Sequence, residues 1–154
     1  MRIIYAPHEL NFSKNERKIF LAGSIEMGKA EDWQTALGND LKHFSDLVLF
    51  NPRRPDFYAE AKQVKEDEYF RGQVEWELNA LEAADIVYMY LQPETKSVIS
   101  LLEMGIHCKS GKLIVCCPDG FYRKGNVDIT CEKYGTPVFE NKEDAFAELL
   151  RRLK

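Results

Sequence analysis

Apolar residues in this chain come in short unbroken runs, separated by stretches with helical spacing. Ile19-Phe20-Leu21-Ala22, Leu47-Val48-Leu49-Phe50, Ile86-Val87-Tyr88-Met89-Tyr90-Leu91 and Leu113-Ile114-Val115-Cys116-Cys117 do not alternate with polar residues. Such continuous runs predict strands buried on both faces. Between them the period lengthens. Trp33, Ala36, Leu37, Leu41 and Phe44 predict a helix over 31–45, and Phe70, Val74, Leu78 and Leu81 predict another over 66–84. A third is expected over 97–109, ended by Ser110-Gly111 with Lys109 and Lys112 near its negative end. Asn51-Pro52 stops the second strand. Residues 136–139 read as a fifth strand and 142–152 as a last helix. Residues 2–6 read as an extra edge strand or a partner contact.

Strands alternating with helices predict a parallel sheet covered on both faces. The expected fold is α/β, a flavodoxin-like doubly wound five-stranded parallel sheet. Counting from residue 18, its order is 2-1-3-4-5, in a single domain spanning 1–154. Strands 1 and 3 are then neighbours at the switch point, and ligands bind beyond their carboxyl ends. Those ends carry Gly23-Ser24 and, after a short loop, residues 97–103.

Composition narrows the function classes. The 154 residues are 45% hydrophobic and 30% charged, enough for one domain with a core. A net charge of -4 argues against a nucleic-acid coat or a membrane-surface binder. No run of 18 apolar residues occurs, and the first residues hold too short an apolar region for a signal peptide, so a cytoplasmic protein is expected. Cys108, Cys116, Cys117 and Cys131 form no C-x-x-C pair and read as reduced, partly buried thiols. His8, His43 and His107 are scattered, and with the cysteines they offer no recognised zinc spacing.

The clearest chemical signal is Glu103. It lies in Ser97-Val98-Ile99-Ser100-Leu101-Leu102-Glu103-Met104-Gly105-Ile106, apolar on almost every face, where helical spacing groups it with Ile99 and Ile106. Carboxylates are rarely buried without a partner or a purpose. One reading is structural, a carboxylate bonded to an amide, tyrosine or arginine. The other is a nucleophile. A helix N-terminus within about two turns stabilises negative charge, by roughly 0.3–1 kcal/mol. An ionised, weakly solvated carboxylate suits attack on an anomeric carbon.

Other segments carry weaker signals. Gly23-Ser24-Ile25-Glu26-Met27-Gly28-Lys29-Ala30 matches the phosphate-binding G-x-x-x-x-G-K pattern after a strand. Ala30, however, has no hydroxyl for magnesium, and Glu26 would add negative charge to a phosphate cradle. The plainer reading is a tight turn whose Gly23 and Ser24 backbone approaches a ligand. In Gln73-Val74-Glu75-Trp76-Glu77, spacing puts Gln73, Trp76 and Glu77 on one helix side. Asn51-Pro52-Arg53-Arg54-Pro55-Asp56-Phe57-Tyr58 is a stiff loop in which Arg53, Arg54 and Asp56 are candidate ligand contacts. Phe121-Tyr122-Arg123-Lys124-Gly125-Asn126-Val127-Asp128 reads as a polar loop beyond the fourth strand.

In combination these pieces resemble the nucleoside 2-deoxyribosyltransferase-like family. The matching segments are Ile19-Phe20-Leu21-Ala22-Gly23-Ser24, Phe50-Asn51-Pro52-Arg53-Arg54, Gln73-Val74-Glu75-Trp76-Glu77, Ala84-Asp85-Ile86-Val87, Ser100-Leu101-Leu102-Glu103-Met104-Gly105 and Gly125-Asn126-Val127-Asp128. The resemblance implies a flavodoxin-like sheet and N-glycosidic bond cleavage or transfer on (deoxy)ribonucleosides. It implies that Glu103, in the family's E-x-G segment, is the nucleophile. It implies that Glu77, eight residues before Asp85, helps to hold the base, with a polar base contact near Asp56. An asparagine reaching the sugar from a neighbouring subunit falls near Asn126, so a homo-oligomer with shared active sites is implied.

One position departs from the family pattern. The aspartate expected six residues before the nucleophile, which aids proton delivery to the base, is Ser97 here. Proton transfer would then fall to Glu77, Asp56, Asp128 or water. A serine there is similar to relatives that hydrolyse deoxynucleoside monophosphates, in which hydroxyls and turn amides hold the phosphate. Arg53, Arg54 and Lys29 favour a phosphate, and Glu26 opposes one near the first turn. The expected ligand is a small nucleoside or nucleotide, with no metal or organic cofactor and no nucleic-acid or membrane partner. The alternatives to transfer are a nucleoside 5′-monophosphate N-glycosidase and a non-catalytic nucleotide-binding module, with an NTPase behind them.

Overall fold

The structure, a computed structural model, describes residues 1–54 and 61–154. Asp56 lies outside the described residues. The chain forms two compact units, Met1–Leu21 with Asp32–Asp85, and Ala22–Glu31 with Ile86–Lys154.

The first unit contains β1 (Arg2–Tyr5), most of β2 (Arg17–Gly23), α1 (Trp33–Leu41), β3 (Leu47–Asn51) and α2 (Glu68–Ala83). Both β1 and β2 pair with β3 in parallel, with Ile4 opposite Phe50 and Ile19 opposite Leu49. All five β3 residues are buried, as a strand flanked on both edges requires. Acidic side chains start both helices. Asp32 accepts from the Thr35 amide and Asp67 from the Phe70 amide, satisfying donors that the first turn leaves open.

The second unit holds the end of β2, a single 3-10 turn at Glu26–Gly28, β4 (Ile86–Tyr90), α3 (Val98–His107), β5 (Leu113–Cys116), α4 (Lys124–Tyr134), β6 (Val138–Phe139) and α5 (Lys142–Arg152). Here β4 pairs with β5 and β5 with β6, again in parallel. The thiols of Cys108, Cys116, Cys117 and Cys131 are free and buried. Burial pushes Cys116 and Cys117 up to about 12, so they stay protonated and inert at neutral pH.

Three expectations are corrected. Among the described residues the sheet has six strands, in the order β1-β3-β2-β4-β5-β6, rather than five. The added strand is the edge strand β1, in which only Ile4 is fully buried, so its apolar signal is weak. Residues 124–128, expected in a loop, form the first turn of α4. That helix buries only Val127 and Cys131 and contains a glycine, so its periodicity is faint; Gly135 ends it in the left-handed conformation.

The third correction concerns α3. Glu103 is buried, but Ile99 and Ile106 are not on its face. The inner stripe is Ser100, Glu103, Met104 and His107, while Val98, Ile99, Leu102 and Ile106 are each more than half exposed. Among the described residues, no helix is long and apolar enough to cross a membrane.

Candidate active site

In the second unit the site begins where β2 ends. Gly23 has φ of 127°, and a side chain there would run into the Tyr90 backbone, so only glycine fits. The next amide, of Ser24, donates to the Tyr90 carbonyl at 2.9 Å. The chain is thereby pinned, and the Ser24 side chain is fully buried. Its hydroxyl oxygen lies 2.8 Å from that of Thr95 and 2.6 Å from that of Ser97, and accepts from the Gln92 amide at 2.8 Å. Thr95 donates to the Gln92 carbonyl and also lies 2.9 Å from the Ser97 hydroxyl.

This cluster of three hydroxyls sits at the start of α3. Ser97, the residue preceding the helix, has φ of 45° and does not cap it with its own side chain. The capping carboxylate comes from Glu26, whose Oε1 accepts from the Lys96 amide at 3.0 Å and the Ser97 amide at 2.7 Å. A negative charge therefore lies at the positive end of the α3 dipole. The segment from Gly23 to Lys29 is not built as a P-loop. It forms a 3-10 turn, and the next helix starts only at Trp33.

Glu103 is the sixth residue of α3 and is 8% exposed. On α4, Asn126 is exposed. Asp128 accepts from the Lys124 ammonium at 2.8 Å through Oδ2, while its buried Oδ1 has no hydrogen-bond partner. The same ammonium lies 3.2 Å from Glu140, and the two carboxylates hold Lys124 above its usual pKa. Sequence reasoning thus placed Asp128 as a possible proton donor, whereas the structure commits one of its oxygens to Lys124.

In the first unit a second polar chain runs from the β3 loop to α2. Arg54 donates to Gln73 Oε1 at 3.3 Å, and Gln73 Nε2 donates to Glu77 Oε1 at 2.6 Å. Glu77 is half-buried, and burial raises its carboxyl above the ordinary range while the Gln73 bond pulls the other way. Trp76, beside it, donates its indole N–H to the His8 carbonyl at 2.8 Å. Arg54 also stacks over the Tyr69 ring at 4.4 Å. Arg53 reaches Gln34 Oε1 at 3.5 Å and lies 3.9 Å from Asp32.

Three participants were missed from sequence. Thr95 and the capping role of Glu26 had no periodic signal, because both lie in turns. Gln34 had one: it falls on the stripe that continues through Leu37, Gly38 and Leu41, and it is fully buried. Its Nε2 has no hydrogen-bond partner. Among the described residues, no group of histidine, cysteine or carboxylate side chains is arranged to hold a metal ion.

Parallel α/β sheets bind ligands beyond the carboxyl ends of their strands, and here those ends carry Gly23-Ser24 at the end of β2 and, after β4, the loop leading into α3. The chain belongs to the nucleoside 2-deoxyribosyltransferase-like family, whose pattern it matches over residues 16–121. That span includes Gly23, Ser24, Arg53, Glu77, Ser97 and Glu103 and ends before Asn126 and Asp128. The fold is similar to that of a conserved protein from Enterococcus faecalis V583, with a TM-score of 0.66 at 14% identity, covering 89% of this chain and 99% of that one. No curated protein matches the sequence.

Proposed function

We propose that the protein cleaves the N-glycosidic bond of (deoxy)ribonucleosides through a covalent glycosyl–Glu103 intermediate. The observation that carries this reading is a carboxylate buried on the inner stripe of α3, within the segment that matches the family. A Glu103 carboxylate oxygen attacks C1′, the C1′–N bond breaks, and the bonding electrons leave with the base. The departing base takes up a proton, and Glu77 is the proposed donor because burial favours its protonated form. In the second step a nitrogen of another base, or water, displaces Glu103 from C1′ and gives up its proton to the Glu77 carboxylate left by the first step. Two displacements retain the anomeric configuration. The chemistry calls for no metal or organic cofactor.

The active form is proposed to be a homo-oligomer. Supporting this are the exposed apolar residues of α3, Val98, Ile99, Leu102 and Ile106, and the exposed Asn126, near which the resemblance puts an asparagine that reaches the sugar in a neighbouring subunit.

The test is Glu103→Gln and Glu103→Ala, assayed for base release and base exchange on a panel of deoxynucleosides and their monophosphates. A 2-fluorinated analogue with intact protein mass spectrometry serves as the adduct trap. The expected result is a trapped adduct in the native protein, with no adduct and no turnover in either variant. Turnover by Glu103→Ala at the native rate would refute the nucleophile. Ligand binding with no base release by the native protein would instead leave a nucleotide-binding module.

A further inference from the structure

The turn that carries Glu26 is built at a cost. Glu26 and Met27 both have left-handed backbones, with φ of 48° and 54°, and Gly28 follows at 86°. Residues other than glycine rarely adopt this conformation. Ser97, on the receiving side of the contact, is left-handed as well. Two strained segments far apart in sequence thus meet through one carboxylate and two backbone amides.

The contact consumes the donors that a ligand anion would want. The Lys96 and Ser97 amides already hold the Glu26 carboxylate. The Thr95 hydroxyl donates to the Gln92 carbonyl, which leaves two hydroxyl hydrogens for the three close contacts among Ser24, Thr95 and Ser97. A second anion placed there would meet the Glu26 charge at short range and find its donors taken.

We infer that Glu26 is a selectivity residue. Resting on the glycosidase reading above, its carboxylate stands in for an anion at the start of α3 and restricts the site to ligands uncharged at that end, a nucleoside in preference to its 5′-monophosphate. Without Glu26 the Lys96 and Ser97 amides would be open to a phosphate oxygen. One side chain therefore separates the two substrate classes that a serine at position 97 leaves open.

The experiment compares the native chain with Glu26→Gln, which keeps an acceptor and removes the charge, and Glu26→Ala, which also frees the two amides. The kcat/KM ratio of a deoxynucleoside to its 5′-monophosphate is measured for each. In parallel, inorganic phosphate is titrated while the Lys96 and Ser97 amides are followed by NMR. The native protein is expected to favour the nucleoside by about tenfold or more, the scale of one close charge contact. Both variants should lower that ratio by about tenfold. Phosphate should shift the two amides only in Glu26→Ala. A native protein that uses the monophosphate equally well, or variants with an unchanged ratio and no phosphate response, would overturn the assignment. Should no form turn over either compound, the glycosidase reading fails while the phosphate titration still decides the role of Glu26. If the alanine variant does not fold, the Glu26→Gln ratio gives the answer.

Discussion

Two helices of the second unit, α3 and α5, are nearly equal in length and opposite in construction. In α5, Ala145 and Leu149 face inward, Glu143 and Asp144 occupy the first turn, and Arg151 and Arg152 the last. Asn141 caps it by accepting from the Asp144 amide at 2.8 Å. Glu148 binds both terminal arginines and is held down to about 2. Each of these choices stabilises a helix by known means. In α3 the preceding residue supplies no cap, polar Ser100, Glu103 and His107 face inward, and four large apolar residues face out. Burying polar groups and exposing apolar ones both cost stability. Where a chain departs so far from local consistency, the departure points to a site or a partner. In these terms α5 serves the fold, whereas the burial pattern of α3 accords with the proposed chemistry on its inner face and the proposed subunit contact on its outer one.

The sharpest way to break that contrast is to exchange the readouts. Glu103→Gln should lower turnover on the order of 1000-fold or more while the variant remains folded, since the amide keeps the shape of the side chain and cannot attack. Leu149→Ala should do the reverse. It opens a cavity on the buried face of α5 and should cost about 2–5 kcal/mol in denaturant unfolding, with turnover per folded molecule unchanged. Equal losses of turnover in the two variants, measured where both remain folded, would dissolve the division of labour.

A smaller effect is expected from the outer face of α3. Leu102→Glu combined with Ile106→Glu places two like charges on the proposed subunit contact. Analytical ultracentrifugation should show a smaller species, with each anchor worth about 2 kcal/mol of association. Thermal unfolding of the dissociated chain should change little, because neither side chain is buried within it. An unchanged sedimentation coefficient would leave the inside-out helix without its proposed partner.

The legibility of these features follows their physics. Continuous apolar runs such as Leu47-Val48-Leu49-Phe50 became fully buried strands, because a strand covered on both faces has no polar alternative. The sparsely buried α4 carries little periodicity and was misread as a loop, while the weak edge strand β1, offered as one of two readings of residues 2–6, was left out of the strand count. Glu103 was legible as a buried charge, but its neighbours were not. A helix apolar on most sides does not reveal which side faces the core, and the expected grouping with Ile99 and Ile106 is reversed in the structure. The Glu26 contact was invisible for a different reason. It spans 70 residues and depends on left-handed turn geometry that no spacing rule encodes.

The mildest test sets the half-buried carboxylate of α2 against the buried one in α3. Glu77 lies on α2, held by Gln73, and burial raises its carboxyl above the ordinary value of 4.5. The folded protein therefore binds this proton more tightly than the unfolded chain does. The resulting stabilisation is complete below the unfolded value and is lost as pH rises through the raised native one. Glu77→Gln carries no such proton. As pH rises from the ordinary value of 4.5 through the raised native pKa, the native melting temperature should fall relative to that of Glu77→Gln, then run parallel to it. A difference that stays flat across the window would mean that the carboxyl is not raised, and would remove the basis for Glu77 as the proton donor while leaving Glu103 untouched.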